Sequence, residues 1–419
     1  MNTATLIRWI VLGLILAKWA GRFWLGRINV RNVQAHAQCV PEAFKAIIDQ
    51  ETYAKSVRYT LERSAFSQWE TAWDTVITVA VLFSGVLPGI YHWFQGAFGP
   101  STLALAAYLF AVGVLLSLPS IPFDWYDQFR LEERFGFNTS TLKIWWLDRL
   151  KGLLLAVVLG YPLLILLLKM TAWTGDFWWI WGWAALFAFQ LVMMVLAPVL
   201  ILPLFNKFTP LAEGSLRERL LELGRRTGFL SQSIQIMDGS RRSRHSNAFF
   251  TGFGGFRKIV LFDTLIQQLT EPELEAVLAH EIGHYRKHHI PKLLLWSAFS
   301  SLVGFYVISW LARQAWFYQA FGFEAGSIVP ALLLFMLISG TITFWFSPLA
   351  NLWSRRHEYE ADAFAAEAMG EIQSLVGALR KLNEKNLGNL TPHPWFSSFY
   401  YSHPTLLERE QALGRLQIH

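Results

Sequence analysis

Seven stretches of the chain are apolar for long enough to cross a bilayer core, which takes about 20 helical residues. They run roughly Ile7–Trp24, Ala72–Phe94, Thr102–Ser120, Leu150–Leu168, Phe177–Leu202, Leu293–Leu311 and Ile328–Phe346. The pattern predicts a mainly α, polytopic membrane protein with seven transmembrane helices. The first run reads as an uncleaved anchor. Lys18 and Arg22 lie at its far end, and Ala35-His36-Ala37 is too distant and too polar in its surroundings to serve as a cleavage site. Residues 25–71 form a polar insert with helical character. Residues 121–149 read as a charged, aromatic loop of the interfacial-belt type.

After the fifth run the pattern changes. Leu216–Thr227 is amphipathic and stops at Gly228, a common helix terminator. Ser233–Met237 alternates with the two-residue period of a strand. Asn247–Phe253 and Lys258–Phe262 read as two further short strands around a turn at Gly252–Gly255. A small β-sheet therefore precedes the next helix.

Composition supports a membrane class and redirects the reading of charge. Of 419 residues, 53% are hydrophobic and only 16% charged, with 20 tryptophans, an unusual balance for a soluble protein. The net charge of +6 is not arranged as a basic stripe with interleaved aromatics, so nucleic acid is not the expected partner. The cations sit in alternate loops instead: Arg27, Arg31 and Arg58, then Arg130, Arg134 and Arg149, then Arg217, Arg225 and Arg242, then Arg355, Arg356 and Arg380. The positive-inside rule then puts the N-terminus outside or lumenal and the C-terminus in the cytoplasm, with Arg8 as a mild exception. Cys39 is the lone cysteine, which excludes an internal disulfide framework.

The candidate chemistry lies between runs five and six. His280-Glu281-Ile282-Gly283-His284 is an H-E-x-x-H motif within a helix-favouring run. Histidines four apart share one helical face and can reach one metal ion, and the glutamate beside the first can hold a water and take its proton. Thr270 and Glu273 provide a capping box at the helix start. His288 and His289 read as a polar helix end near the membrane rather than as ligands. A catalytic zinc takes three protein ligands and an open position. After run seven, Glu358 and Asp362 are four apart on one helical face. Glu358 could complete the set and Asp362 could accept the second ring N–H of a ligand histidine. By spacing alone an exposed charged helix accounts for them as well.

Taken together, these motifs resemble the type I CAAX prenyl endopeptidases, integral-membrane zinc proteases. The resemblance spans nearly the whole chain. It rests on Glu132-Glu133-Arg134-Phe135-Gly136-Phe137-Asn138, the stretch Pro203–Leu211, Ser246–Phe253, the H-E-x-x-H, Arg356–Asp362 and Tyr401–Arg409. It implies His280, His284 and Glu358 as ligands of one zinc ion, Glu281 as general base, and Asp362 behind a ligand histidine. It also implies His403 and Arg409 near the scissile carbonyl, and Asn247 and Ala248 in a strand that pairs with extended substrate. The implied fold is a chamber ringed by seven membrane helices with a thermolysin-like cytoplasmic peptidase domain. The segments would be 1–205 (spans one to five), 206–292 (peptidase segment), 293–350 (spans six and seven) and 351–419 (third ligand). The implied substrate is a peptide or protein, prenylated near its C-terminus, cleaved at the membrane of the endoplasmic reticulum or the bacterial inner membrane. A membrane-protein quality-control protease is the nearest alternative. A non-catalytic zinc-binding transporter or receptor is the alternative of another class, but it would be expected to close the metal with four ligands.

Overall fold

The structure is a computed structural model that describes residues 2–45, 47–229, 233–251 and 258–416. Among the described residues, six helices are long and apolar enough to cross a bilayer: Thr3–Ala35, Thr102–Phe135, Leu142–Trp173, Gly175–Phe205, His289–Leu311 and Ile328–Met369. A pair bent by 55°, Gln50–Phe83 with Val86–Phe98, makes a seventh crossing if counted as one span. The bend falls where Gly85 adopts φ +81°, a left-handed conformation that a Cβ would penalise. The run Ala72–Phe94 is therefore one apolar stretch but two helices. Leu154 and Val158 on one span, and Leu295 and Phe299 on another, stand exposed as lipid-facing side chains do.

Several spans are far longer than a membrane needs. Thr3–Ala35 has 33 residues, which at 1.5 Å per residue is about 50 Å against a hydrocarbon core of about 30 Å. The surplus projects past the membrane and frames the polar part of the protein. This changes the reading of residues 121–149. The helix that begins at Thr102 runs on to Phe135, widening at Asp127–Glu132, and ends at Gly136 with φ +85°. The next begins at Leu142, capped by the Thr141 hydroxyl. What reads as a loop is mostly helix, held by a polar cluster that hydropathy does not register. Glu132 accepts from the Tyr59 hydroxyl at 2.6 Å and from Arg63 at 2.7 Å, and contacts His245 at 3.1 Å. The His245 ring stacks on Phe137.

The polar part contains a four-stranded sheet in the order β1-β2-β4-β3. Its strands are β1 (Phe208–Pro210), β2 (Ser233–Met237), β3 (Ala248–Thr251) and β4 (Lys258–Phe262). β2 and β4 are parallel, while β1 on β2 and β3 on β4 are antiparallel. The turn read at Gly252–Gly255 lies outside the described residues. Ile234, Ile259 and Leu261 of the sheet pack with Leu220 and Leu223 of the amphipathic helix Ser215–Arg226, and with Leu274, Leu278 and Ile282 of the H-E-x-x-H helix. Ala365 and Ala366 close the same core from the last part of Ile328–Met369. At this contact Gly283 has a structural task. A Cβ there would lie 2.9 Å from Ala361 Cα, so glycine sets how closely the two helices approach.

Candidate metal centre and active site

The H-E-x-x-H helix is Glu271–Arg286. Its capping box is formed, with Glu273 accepting from the Thr270 backbone N–H at 2.7 Å and from its hydroxyl at 2.8 Å. Lys381 donates to the same carboxylate at 2.7 Å, which fixes the helix start against the C-terminal segment. One helical turn apart, His280 and His284 bring their Nε2 atoms within 3.2 Å of each other. The second helix, Ser347–Met369, crosses at Gly283 and offers Glu358. Its Oε2 lies 3.5 Å from His280 Nε2 and its Oε1 lies 3.3 Å from His284 Nε2. Donor atoms of His280, His284 and Glu358 all lie within 4.8 Å of one another.

This arrangement fits a divalent cation on three counts. The donors are two imidazole nitrogens and one carboxylate oxygen, converging from two helices. Glu358 is buried, and its Oε2 has no hydrogen-bond donor, an unusual state for a buried carboxylate that a cation would relieve. Finally, the surroundings favour positive charge. Burial works against a charged His280 ring, yet the bond to Asp362 and the nearby Glu358 carboxylate outweigh it and raise its pKa to about 9. A cation replacing that proton would find the same field.

Asp362 lies one turn beyond Glu358, buried, and its Oδ1 accepts from His280 Nδ1 at 2.8 Å. This fixes the tautomer that leaves Nε2 free to ligate. Arg409, on the helix Leu406–Gly414, grips the other side of Asp362. Its Nε donates at 2.8 Å and its Nη2 at 2.5 Å, and Nη1 stays 4.0 Å from Glu358. Arg409 was expected near the scissile carbonyl; the structure places it beside Asp362 and Glu358. The Nε–Nη2 edge of the guanidinium is engaged by a buried acid behind the histidine. His403 also reaches the centre: its Nε2 lies 3.5 Å from Glu358 Oε1 and its side chain is 64% exposed.

Glu281 lies between the two histidines in sequence, and burial pushes its carboxyl above the usual carboxylate range. A nearby dication would pull it back toward the ionised form that a base requires. Ala248 begins the edge strand β3, and Asn247 immediately precedes it. Ala248 pairs with Leu261, and Asn247 O accepts from the Phe262 N–H at 3.1 Å. The outer edge of β3 has no strand partner among the described residues, so it can accept an extended peptide by strand addition.

One residue read from the sequence as part of a polar helix end is packed against the centre instead. His289 is buried, with Nδ1 2.9 Å from His284 Nδ1 and Nε2 3.1 Å from Glu360 Oε2. Its ring stacks on His357 at 4.0 Å. His288 supplies the bend between the H-E-x-x-H helix and the next span, with φ 56°. His284 thus has a partner behind it, as His280 has Asp362. The signal available in sequence was a further histidine five residues beyond His284. Its carboxylate partner lies 71 residues away, so spacing could not pair them.

Fold and centre together define an integral multi-pass membrane metalloendopeptidase. The profile described as "CAAX prenyl protease N-terminal, five membrane helices" matches residues 29–207, and that of "Peptidase family M48" matches residues 210–417. The chain is 37% identical to CAAX prenyl protease 1 of Saccharomyces cerevisiae over 405 residues, covering 89% of this chain and 88% of that protein. It is 32% identical to the CAAX prenyl protease 1 homolog of Homo sapiens, covering 97% of this chain and 95% of that protein. The crystal structure of S. mikatae Ste24p superposes with a TM-score of 0.90 at 34% identity, over 97% of this chain and 98% of that one. The chain belongs to peptidase family M48, in the CAAX prenyl protease 1 group.

Proposed function

We propose that this protein is a zinc endopeptidase that removes the C-terminal aaX tripeptide from prenylated C-a-a-X proteins. The observation that carries the reading is the convergence of His280, His284 and Glu358, with Glu281 between the histidines in sequence. Two imidazoles and one carboxylate suit zinc rather than the harder calcium or magnesium. The names of the relatives support the prenylated substrate.

Zinc held there supplies a Lewis acid for the scissile carbonyl and lowers the pKa of a water toward neutrality. Glu281 accepts that water's proton as its oxygen adds to the carbonyl carbon. It returns the proton to the amide nitrogen as the C–N bond breaks, so it ends as it began. His403, exposed beside the centre, donates to the developing oxyanion, a kind of contact typically worth about 3 kcal/mol. Asp362 and His289 orient the two ligand histidines, and Arg409 orients Asp362. Substrate enters as an extra strand on β3 at Asn247 and Ala248. The loop charges support a cytoplasmic active site and an outward or lumenal N-terminus.

The test is cleavage of a farnesylated C-a-a-X peptide by detergent-purified protein, with and without a chelator. Release of the intact C-terminal tripeptide, abolished by chelator and restored by zinc, is expected. Chelator-insensitive cleavage, or cleavage only of unrelated membrane proteins, would contradict the reading.

A further inference from the structure

A buried carboxylate at the end of the helix Thr102–Phe135 takes no part in the centre described above. Glu132 Oε1 accepts from the Tyr59 hydroxyl at 2.6 Å and from Arg63 at 2.7 Å, both on the helix Gln50–Phe83. Its Oε2 lies 3.1 Å from His245 Nε2. The other ring nitrogen of His245 lies 3.0 Å from Asn386 Oδ1, at the end of the helix Gln373–Lys385. Phe137 stacks on the ring at 4.2 Å, and the Thr264 hydroxyl donates to the His245 carbonyl at 3.2 Å. One imidazole thus joins the ends of membrane helices to the peptidase core.

The backbone is stitched at the same junction. Asn138 bridges Ser243 in antiparallel fashion. The Arg244 N–H donates to the Phe137 carbonyl at 3.0 Å, and the Thr139 N–H to the Arg242 carbonyl at 3.3 Å. Arg242 itself holds Asp148 through two bonds of 2.7 and 3.0 Å. Residues 242–245 are therefore anchored to the connection between two spans before the chain enters β3.

The outer edge of β3 depends on that entry. Asn247 and Phe262 stand opposite each other and are joined by the bond from the Phe262 N–H. Antiparallel alternation then turns the backbone groups of Ala248 and Phe250 away from β4. The Ala248 N–H is taken by Asn247 Oδ1 at 2.8 Å, which leaves the Ala248 carbonyl and the Phe250 amide groups to an incoming strand. His245 precedes Ala248 by three residues, at most about 10 Å of chain. So short a link passes a displacement of the imidazole on to the edge.

We propose that Glu132 and His245 are positioning residues for the substrate: the pair ties the outer edge of β3 to the membrane spans, so that an added peptide strand meets it in one register. This rests on the strand-addition reading above. Loosening the pair costs binding of extended peptide and leaves the chemistry at the metal unchanged.

The test compares two inhibitors on each protein: acetohydroxamate, which can engage only the metal, and a hydroxamate carrying an extended tripeptide, which also needs the strand edge. In His245→Ala and Glu132→Ala the inhibition constant of the peptidyl compound and the KM of the peptide substrate should rise together by about tenfold or more, the loss expected for a hydrogen bond to a charged group. The acetohydroxamate constant and kcat should stay within about twofold. His245→Gln, whose amide nitrogen can stand where Nε2 does, should restore most of the binding. His245→Asn, which can keep only the Asn386 contact, should not. The ratio of the two inhibition constants is internal to one preparation, so partial loss of fold or zinc cancels. An unchanged ratio in both alanine variants would make the cluster an anchor for stability alone and overturn the proposal, as would a fall in kcat at constant KM; either leaves the peptidase reading intact. A wild type that binds acetohydroxamate and cleaves no peptide would overturn that reading and the proposal with it.

Discussion

Replacing Arg409 by methionine removes a guanidinium from behind the metal centre and separates two roles for it. Arg409 is 11% exposed and Asp362 is 2% exposed, and two hydrogen bonds of 2.8 and 2.5 Å join them. Removing one member of a buried ion pair leaves the other uncompensated, which costs about 3–5 kcal/mol. Asp362 would keep its bond to His280, but would be free to protonate or turn. Loss of such an outer partner typically lowers metal affinity by about 10- to 100-fold. Thermal unfolding in detergent and zinc competition against a fluorescent chelator measure both effects. The expected result is a lower midpoint and weaker zinc binding, with Arg409→Lys intermediate because an ammonium cannot span both carboxylate oxygens. Wild-type zinc affinity and stability in Arg409→Met, with only kcat reduced, would refute the positioning role and return Arg409 to the substrate.

Other expectations follow from single contacts. Gly283→Ala places a Cβ 2.9 Å from Ala361 Cα, an overpacking that should cost about 1–3 kcal/mol and weaken zinc binding, since the same contact brings Glu358 to the histidines; an unchanged thermal midpoint would contradict it. His289→Phe keeps the stacked ring on His357 but removes the partner of His284, and should lower zinc affinity by about tenfold or more, read by the same competition. Burial opposes protonation of His245, but its bonds to Glu132 and Asn386 outweigh this and hold its pKa above the ordinary imidazole value. A raised folded-state pKa means stability that is full below about pH 6.5 and is lost as pH rises through the folded value. Thermal midpoints of wild type and His245→Gln should therefore diverge at acid pH and converge at alkaline pH, and a constant difference would argue against the assignment.

The two halves of the centre differed in how visible they were in the sequence. His280, Glu281 and His284 announce themselves because their geometry is local: one helix turn fixes it, and Thr270 and Glu273 mark where that helix starts. Glu358 and Asp362 show only a four-residue spacing. Two spans separate them from the histidines, and no periodicity reveals that Gly283 meets Ala361. The His284–His289–Glu360 chain was illegible for the same reason. The bond from Arg409 to Asp362 was not legible either, because a long side chain takes its orientation from its partner. In the fold, hydropathy found the membrane crossings because lipid enforces apolar length. It stopped at Ser120, where the helix continues to Phe135 on hydrogen bonds of Glu132 that carry no apolar signal. It also passed over the bend at Gly85, which depends on one backbone conformation.

The most direct test of the central claim is turnover and zinc content of Glu281→Gln measured on the same preparation. Glutamine keeps the shape of the side chain and cannot take a proton from water. The account predicts about one zinc per chain, as in wild type, with cleavage reduced by at least about 10²-fold, the lower end of what a general base contributes. Native-rate cleavage with zinc bound would contradict the account, because the proton would then leave by a route that Glu281 does not provide.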